Sequence, residues 1–82
     1  MTAVKHNDDY YYDIARENIR KYRIEKNYTQ QRLADETDLS IDFIAEIESL
    51  KRRKSFSIAT LGRITDVLNI DINLFFKNHN TK

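Results

Sequence analysis

The stretch RLADETDLSIDFIAEIE, residues 32–48, decides how the chain is read. Just upstream, Thr29 offers a hydroxyl to the free N–H groups that open a helix, and Leu33 and Ala34 follow one turn later as its inward pair. That helix is expected to run to about Thr37. Ser40 repeats the capping signal, and Phe43, Ile44 and Ile47 fall at the three- and four-residue spacing of a buried stripe, so another helix is expected to end near Ser49 or Leu50. The stretch also poses a problem. Between Leu33 and Leu50 it carries six carboxylates (Asp35, Glu36, Asp38, Asp42, Glu46, Glu48) and no lysine or arginine.

Outward from this pair the pattern stays helical. Proline is absent and Gly62 is the only glycine, so few positions are forced out of a helix, and no segment alternates as a strand would. A first helix fits Asp9 to Lys26, with Ile14, Ile19, Tyr22 and Ile24 at helical spacing, and Asn27 closes it because asparagine tolerates the left-handed conformation. Ser57 caps a fourth helix carrying Ile58, Leu61, Ile64, Val67 and Leu68, with Asn69 at its exit. Asp71 caps a short fifth, INLFFK, and NHNTK is expected to fray. The expected fold is all-α, a compact five-helix bundle. It fills one domain over residues 1–82, with its core at about 13–77 and polar tails at 1–8 and 78–82.

Eighty-two residues allow one small core and leave no room for separate substrate and cofactor domains. No cysteine is present to form a disulfide or a thiolate metal site. No apolar run is long enough for a membrane span, and MTAVKHNDDYYYD lacks the apolar segment of a signal peptide, so a soluble cytoplasmic protein is expected. The net charge of +1 conceals segregation. Residues 16–32 are mixed and mostly basic, 33–50 purely acidic, and 51–63 purely basic through Lys51, Arg52, Arg53, Lys54 and Arg63.

Two short helices joined by a tight turn, the second free to lie in a groove, form the unit that reads duplex DNA. The residues carry a closer likeness. IRKYRIEKNYTQQRLADETDLSIDFIAEIE (19–48) followed by SIATLGRITDVLNIDINLFF (57–76) resembles the Cro/C1-type (Xre-like) helix-turn-helix domains of phage repressors, small bacterial regulators and restriction–modification controller proteins. The resemblance covers roughly residues 17–76. It implies a lambda-repressor-like bundle, cytoplasmic location, binding to double-stranded DNA, and a homodimer. It further implies that Thr29 and Gln30 open the first motif helix against a phosphate, as a positive helix end favours. Ala34 matches the small residue at the helix crossing, and Ile44 and Ile47 the anchors of the recognition helix. Arg23 and Glu48 match a shielded structural ion pair.

Departures from the family pattern fall on the functional surface. Asp38 stands where the motif's turn usually holds glycine, and the loop from Lys51 to Ser55 is slightly longer than the common form. The base-reading positions map onto Ile41, Asp42, Ala45 and Glu46, where arginine, glutamine or serine is more usual, and Phe43 replaces a frequent tyrosine. By helical phase Asp35 and Glu36 belong to a solvated flank. Asp42 and Glu46 either face solvent idly or read bases: a carboxylate accepts from cytosine N4, and Ile41 or Ala45 can touch thymine methyls. Affinity is then expected from DNA-backbone contacts by Thr29, Gln30, Ser40, Phe43, Lys51, Arg52, Arg53 and Lys54. Three to five such cations per subunit give a dimer a salt slope on the order of −5 to −9.

Consecutive tyrosines at 10–12 point about 100° apart on a helix, so at least one must be exposed. Leu74, Phe75 and Phe76 give the last helix an apolar surplus expected to form the dimer interface. Gly62 either admits a neighbouring helix or is a tolerated defect of roughly 1 kcal/mol. His6 and His79 do not form a metal-ligand pattern, and neither a catalytic set nor a glycine-rich phosphate loop can be assembled; no metal, cofactor or enzymatic activity is expected. The resulting expectation is a small homodimeric transcriptional regulator, of repressor type, on a pseudo-palindromic operator. Its rival is a helix-turn-helix scaffold whose acidic face binds a protein partner, as an antagonist of another regulator or an antitoxin-like component.

Overall fold

In the computed structural model, residues 5–79 are described, and they form four α-helices and one 3₁₀ turn: α1 (Asp8–Glu25), α2 (Gln30–Thr37), α3 (Ile41–Glu48), α4 (Ile58–Leu68) and the turn Ile72–Phe76. The outer ends of the two polar tails, residues 1–4 and 80–82, lie outside the described residues. Each α-helix opens on a side chain that accepts from the amide three residues on. Asn7 receives Tyr10 N, Thr29 receives Arg32 N, Ser40 receives Phe43 N and Ser57 receives Thr60 N, all at 3.0 Å. Because Asn7 is the cap, α1 starts and ends one residue earlier than the sequence predicts.

Three helices end in one way. Asn27, Asp38 and Asn69 adopt left-handed φ angles of 60°, 60° and 56°. In each case the left-handed residue's amide reaches three residues back and the next amide five back. Asn27 N–Ile24 O is 2.9 Å and Tyr28 N–Arg23 O 3.0 Å; Leu39 N–Ala34 O is 3.0 Å and Ile70 N–Thr65 O 3.1 Å. These bonds satisfy carbonyls that a helix end otherwise leaves open, and the apolar residue that follows (Tyr28, Leu39, Ile70) folds back onto the core. Asn and Asp serve here where glycine is customary, because their short polar side chains tolerate this region.

The expected fifth helix is a 3₁₀ turn instead. Asp71 accepts from Asn73 N at 2.9 Å, two residues on rather than three, which tightens the first turn, and five residues are too few to recover α geometry. The core gathers Ile19, Tyr22, Leu33, Ala34, Ile44, Ile47, Phe56, Leu61, Ile64, Leu68 and Phe75. The 3₁₀ turn packs on α1, α2 packs on both α3 and α4, and α3 also touches α1. Ile24, expected on the inner stripe of α1, is exposed, since the inward phase there is taken by Ile19, Tyr22 and Arg23. The chain entering the tail is tied to α1: Asn18 Nδ2 donates to Phe75 O at 2.8 Å and Lys77 O at 2.9 Å, and the Tyr22 hydroxyl lies 3.3 Å from His79 Nε2.

Gly62 has ordinary helical φ, and a Cβ built there meets nothing within 4 Å. It is therefore a tolerated defect and admits no close helix. Gly62→Ala is expected to raise stability by about 1 kcal/mol in urea unfolding; destabilisation would show that the position is crowded after all.

Candidate nucleic-acid interface

The α2–α3 unit is fixed from beneath. Ile44 and Ile47 are fully buried against Leu33 and Ala34, and the Thr37 hydroxyl donates to Leu33 O at 2.6 Å, which binds the last turn of α2 to its own backbone. Glu48 ends α3 inside the protein. Its carboxylate accepts from Arg23 Nε at 2.7 Å and Nη2 at 3.0 Å, and from Gln30 Nε2 at 3.1 Å, while Arg23 Nη1 donates to Tyr28 O at 2.8 Å. One carboxylate thereby joins α1, α2 and α3. Gln30 spends an amide hydrogen on this network, and Thr29 spends its hydroxyl as a cap, so what the start of α2 turns outward is chiefly backbone N–H.

A second buried cation was not anticipated. Arg16 is 0% exposed. Its Nη1 donates to Ile47 O at 2.8 Å and Lys54 O at 3.1 Å, and its Nε to Asp13 Oδ1 at 2.9 Å. The guanidinium carbon lies 6.0 Å from the centroids of both the Tyr12 and Phe56 rings. Asp13 also holds Arg53 Nη2 at 3.2 Å. The signal in the sequence was phase: Tyr12, Arg16, Ile19 and Arg23 occupy one helical stripe, and a cation within an inward stripe must find carbonyls or carboxylates there.

The outer surface of α3 carries Ile41, Asp42 and Ala45 in the open and Glu46 half-buried. Ser40 lies at its N-cap, and Phe43 leans half-buried onto the core, so its ring is partly spent on packing. The loop cations expected to act together divide. Arg52 Nη1 donates to Glu46 Oε2 at 2.8 Å, and Arg53, with φ 50°, turns toward Asp13. Lys51 and Lys54 are exposed and form no ion pair among the described residues. On the flank of α2, Asp35 accepts from Gln31 at 2.8 Å, and Glu36 accepts from Arg32 at 2.7 Å and Tyr28 at 2.9 Å. The Arg32 hydrogen bond first, then that from Tyr28, holds the Glu36 carboxyl below its ordinary range.

At the far end, the proposed interface triplet separates. Phe75 is fully buried, its ring 5.2 Å from that of Tyr22, because a 3₁₀ turn directs only one of three successive residues inward. It is a core residue and is not available to a partner. Leu74 and Phe76 remain exposed, and Phe76 (51%) joins Tyr11 and Ile58 (68%) around an apolar groove floored by Tyr12, Ala15, Phe56 and Leu61. Tyr11 is thus the exposed member of the tyrosine triplet.

A buried three-helix junction beneath a short, outward-facing second helix defines a helix-turn-helix DNA-binding domain. The chain belongs to the helix-turn-helix family HTH_3, of the Cro/C1 type, whose model matches residues 19–75. Among solved structures it is similar to the crystal structure of a hypothetical transcription factor, NHTF, from Neisseria. The two share 15% sequence identity with a TM-score of 0.76, over 96% of this chain and 90% of that one, and the likeness is one of fold. No curated protein matches the chain. Among the described residues no helix is long and apolar enough to cross a membrane.

Because Glu48 and Arg23 are both buried, truncating one strands the other. Glu48→Ala is expected to cost about 3–5 kcal/mol by chemical denaturation; a loss below about 1 kcal/mol would mean that the pair behaves as a wet surface contact.

Proposed function

We propose that the protein is a sequence-specific regulator of transcription, of repressor type, that binds double-stranded DNA in the cytoplasm as a homodimer and needs no cofactor. The reading rests on one observation above all: α3 is anchored from below at Ile44, Ile47 and Glu48 and leaves Ile41, Asp42, Ala45 and Glu46 outermost. In the family's docking mode this face enters the major groove. The start of α2 at Thr29 and Gln30, with Ser40 and Phe43 at the start of α3, meets phosphates beside it. Lys51 and Lys54 supply the unpaired charge, with the exposed Arg53 free to leave Asp13.

The dimer would form through Leu74 and Phe76 together with the groove that Phe76, Ile58 and Tyr11 rim. A projecting edge beside a recess of the same chemistry is what a two-fold interface requires. The acidic face gives the protein-partner alternative less support than the sequence implied, because Glu48 is buried and Glu36, Asp35 and Glu46 each have a partner within the chain.

Selection from random duplexes at moderate salt should recover a two-fold symmetric site with half-sites about 34 Å apart; recovery of no shared sequence would overturn the reading. Two to four cations per subunit give a dimer slope of log affinity against log salt on the order of −4 to −7. Lys54→Gln should flatten it by about 2 per dimer without altering base preference. Phe76→Asp should yield folded monomer by sedimentation and circular dichroism, with half-site affinity only. A dimer that survives this change would move the interface elsewhere.

A further inference from the structure

Arg52 is held in place from two sides. Its backbone amide donates to Ser49 Oγ at 3.1 Å, and Ser49 N donates to Glu46 O at 3.2 Å, so the chain leaving α3 curls back over the helix's last turn. Arg53 then turns left-handed and its amide closes on Ser49 O at 2.9 Å, while Arg16 pins Lys54 O. The curl directs the Arg52 side chain across the outer face of α3, where Nη1 meets Glu46 Oε2. Asp42, Ala45, Glu46, Ser49 and Arg52 line the cleft that results. The Arg52 side chain is 65% exposed, and an ion pair that open contributes little to stability. Its geometry leaves Glu46 Oε1 and the Arg52 Nη2 and Nε hydrogens without a partner among the described residues.

We propose that Glu46 and Arg52 form one composite reading unit for a C·G base pair, which makes Arg52 a specificity-determining residue instead of a backbone clamp. This rests on α3 lying in the major groove, as proposed above. The unit presents an acceptor, Glu46 Oε1, directly beside a fork of donors. A C·G pair offers the complementary order across the groove: the cytosine N4 donor, then the guanine O6 and N7 acceptors. An A·T pair breaks that order, because its adenine N6 donor is flanked by single acceptors and the fork would run onto the thymine methyl. The carboxylate that looks repulsive toward DNA is neutralised by the group that reads beside it. Glu46 also orients Arg52, so the two act together and not as separate contacts.

The test is binding-site selection followed by affinity measurement on duplexes differing at one base pair, with wild type, Glu46→Gln, Arg52→Lys, Arg52→Gln and the Glu46→Gln/Arg52→Gln double variant. Arg52 is exposed and Glu46 half-buried, and matched thermal unfolding checks that the folds are intact. Wild type is expected to prefer C·G at one half-site position by about ten- to a hundredfold. Each single variant should lose that preference, and the double should lose no more than either single. Arg52→Lys is decisive, since it keeps the charge a phosphate needs and removes the fork that guanine needs. If Arg52→Lys retains the wild-type preference, or Arg52→Gln weakens all sequences equally with the preference intact, Arg52 is a phosphate contact and the proposal falls while the regulator reading stands. If wild type selects no shared sequence at all, the regulator reading falls first and the proposal with it.

Discussion

The Glu48 carboxylate is the constraint on which the rest depends. α3 has only eight residues, and a helix of two turns does not persist in water without tertiary support. Ile44 and Ile47 supply the apolar part of that support, but apolar packing alone lets a short helix slide or roll. A bidentate bond to Arg23 and a third from Gln30 fix the helix's far end in rotation and along its axis. Two buried charges are costly to desolvate, and this geometry offsets the cost by giving the carboxylate donors from two neighbouring elements while Arg23 also reaches Tyr28 O.

Much of this arrangement was legible in short-range chemistry. Thr29, Ser40 and Ser57 are caps because a hydroxyl before an apolar stripe can reach an amide three residues on. Asn27 and Asn69 are exits because the left-handed region suits asparagine. The Arg23–Glu48 bond came from the family resemblance and not from spacing, since 25 residues separate the partners. What stayed hidden was long-range or decided by small differences in turn geometry. Arg16 bonds carbonyls 31 and 38 residues away, and nothing local marks it apart from its helical phase. Phe75 and Phe76 are indistinguishable by composition, yet a 3₁₀ turn buries one and exposes the other. Arg52 and Arg53 read as one basic block until the left-handed turn at Arg53 sends neighbouring side chains to Glu46 and Asp13.

The acidic block therefore does not behave as a wall of negative charge. Glu48 is interior, Glu36 lies under Arg32 with Tyr28, Asp35 under Gln31, and Glu46 under Arg52. Among the described residues, Asp38 and Asp42 are the two of the six whose side chains have no partner. Of these, Asp38 belongs to the turn and Asp42 to the outer face of α3. On that outer face Asp42 is therefore the one carboxylate without a partner among the described residues.

Arg16 has a further consequence. By bonding Ile47 O near the end of α3 and Lys54 O in the following loop at once, it ties the largely exposed nine-residue connection, 49–57, to α1. Such a loop would ordinarily be a flexible strap whose ordering is charged against affinity when a ligand arrives. Here that conformational entropy is surrendered during folding, so the surface meets its ligand already shaped. Loosening the guanidinium would then weaken recognition by freeing this connection, although Arg16 itself does not face outward.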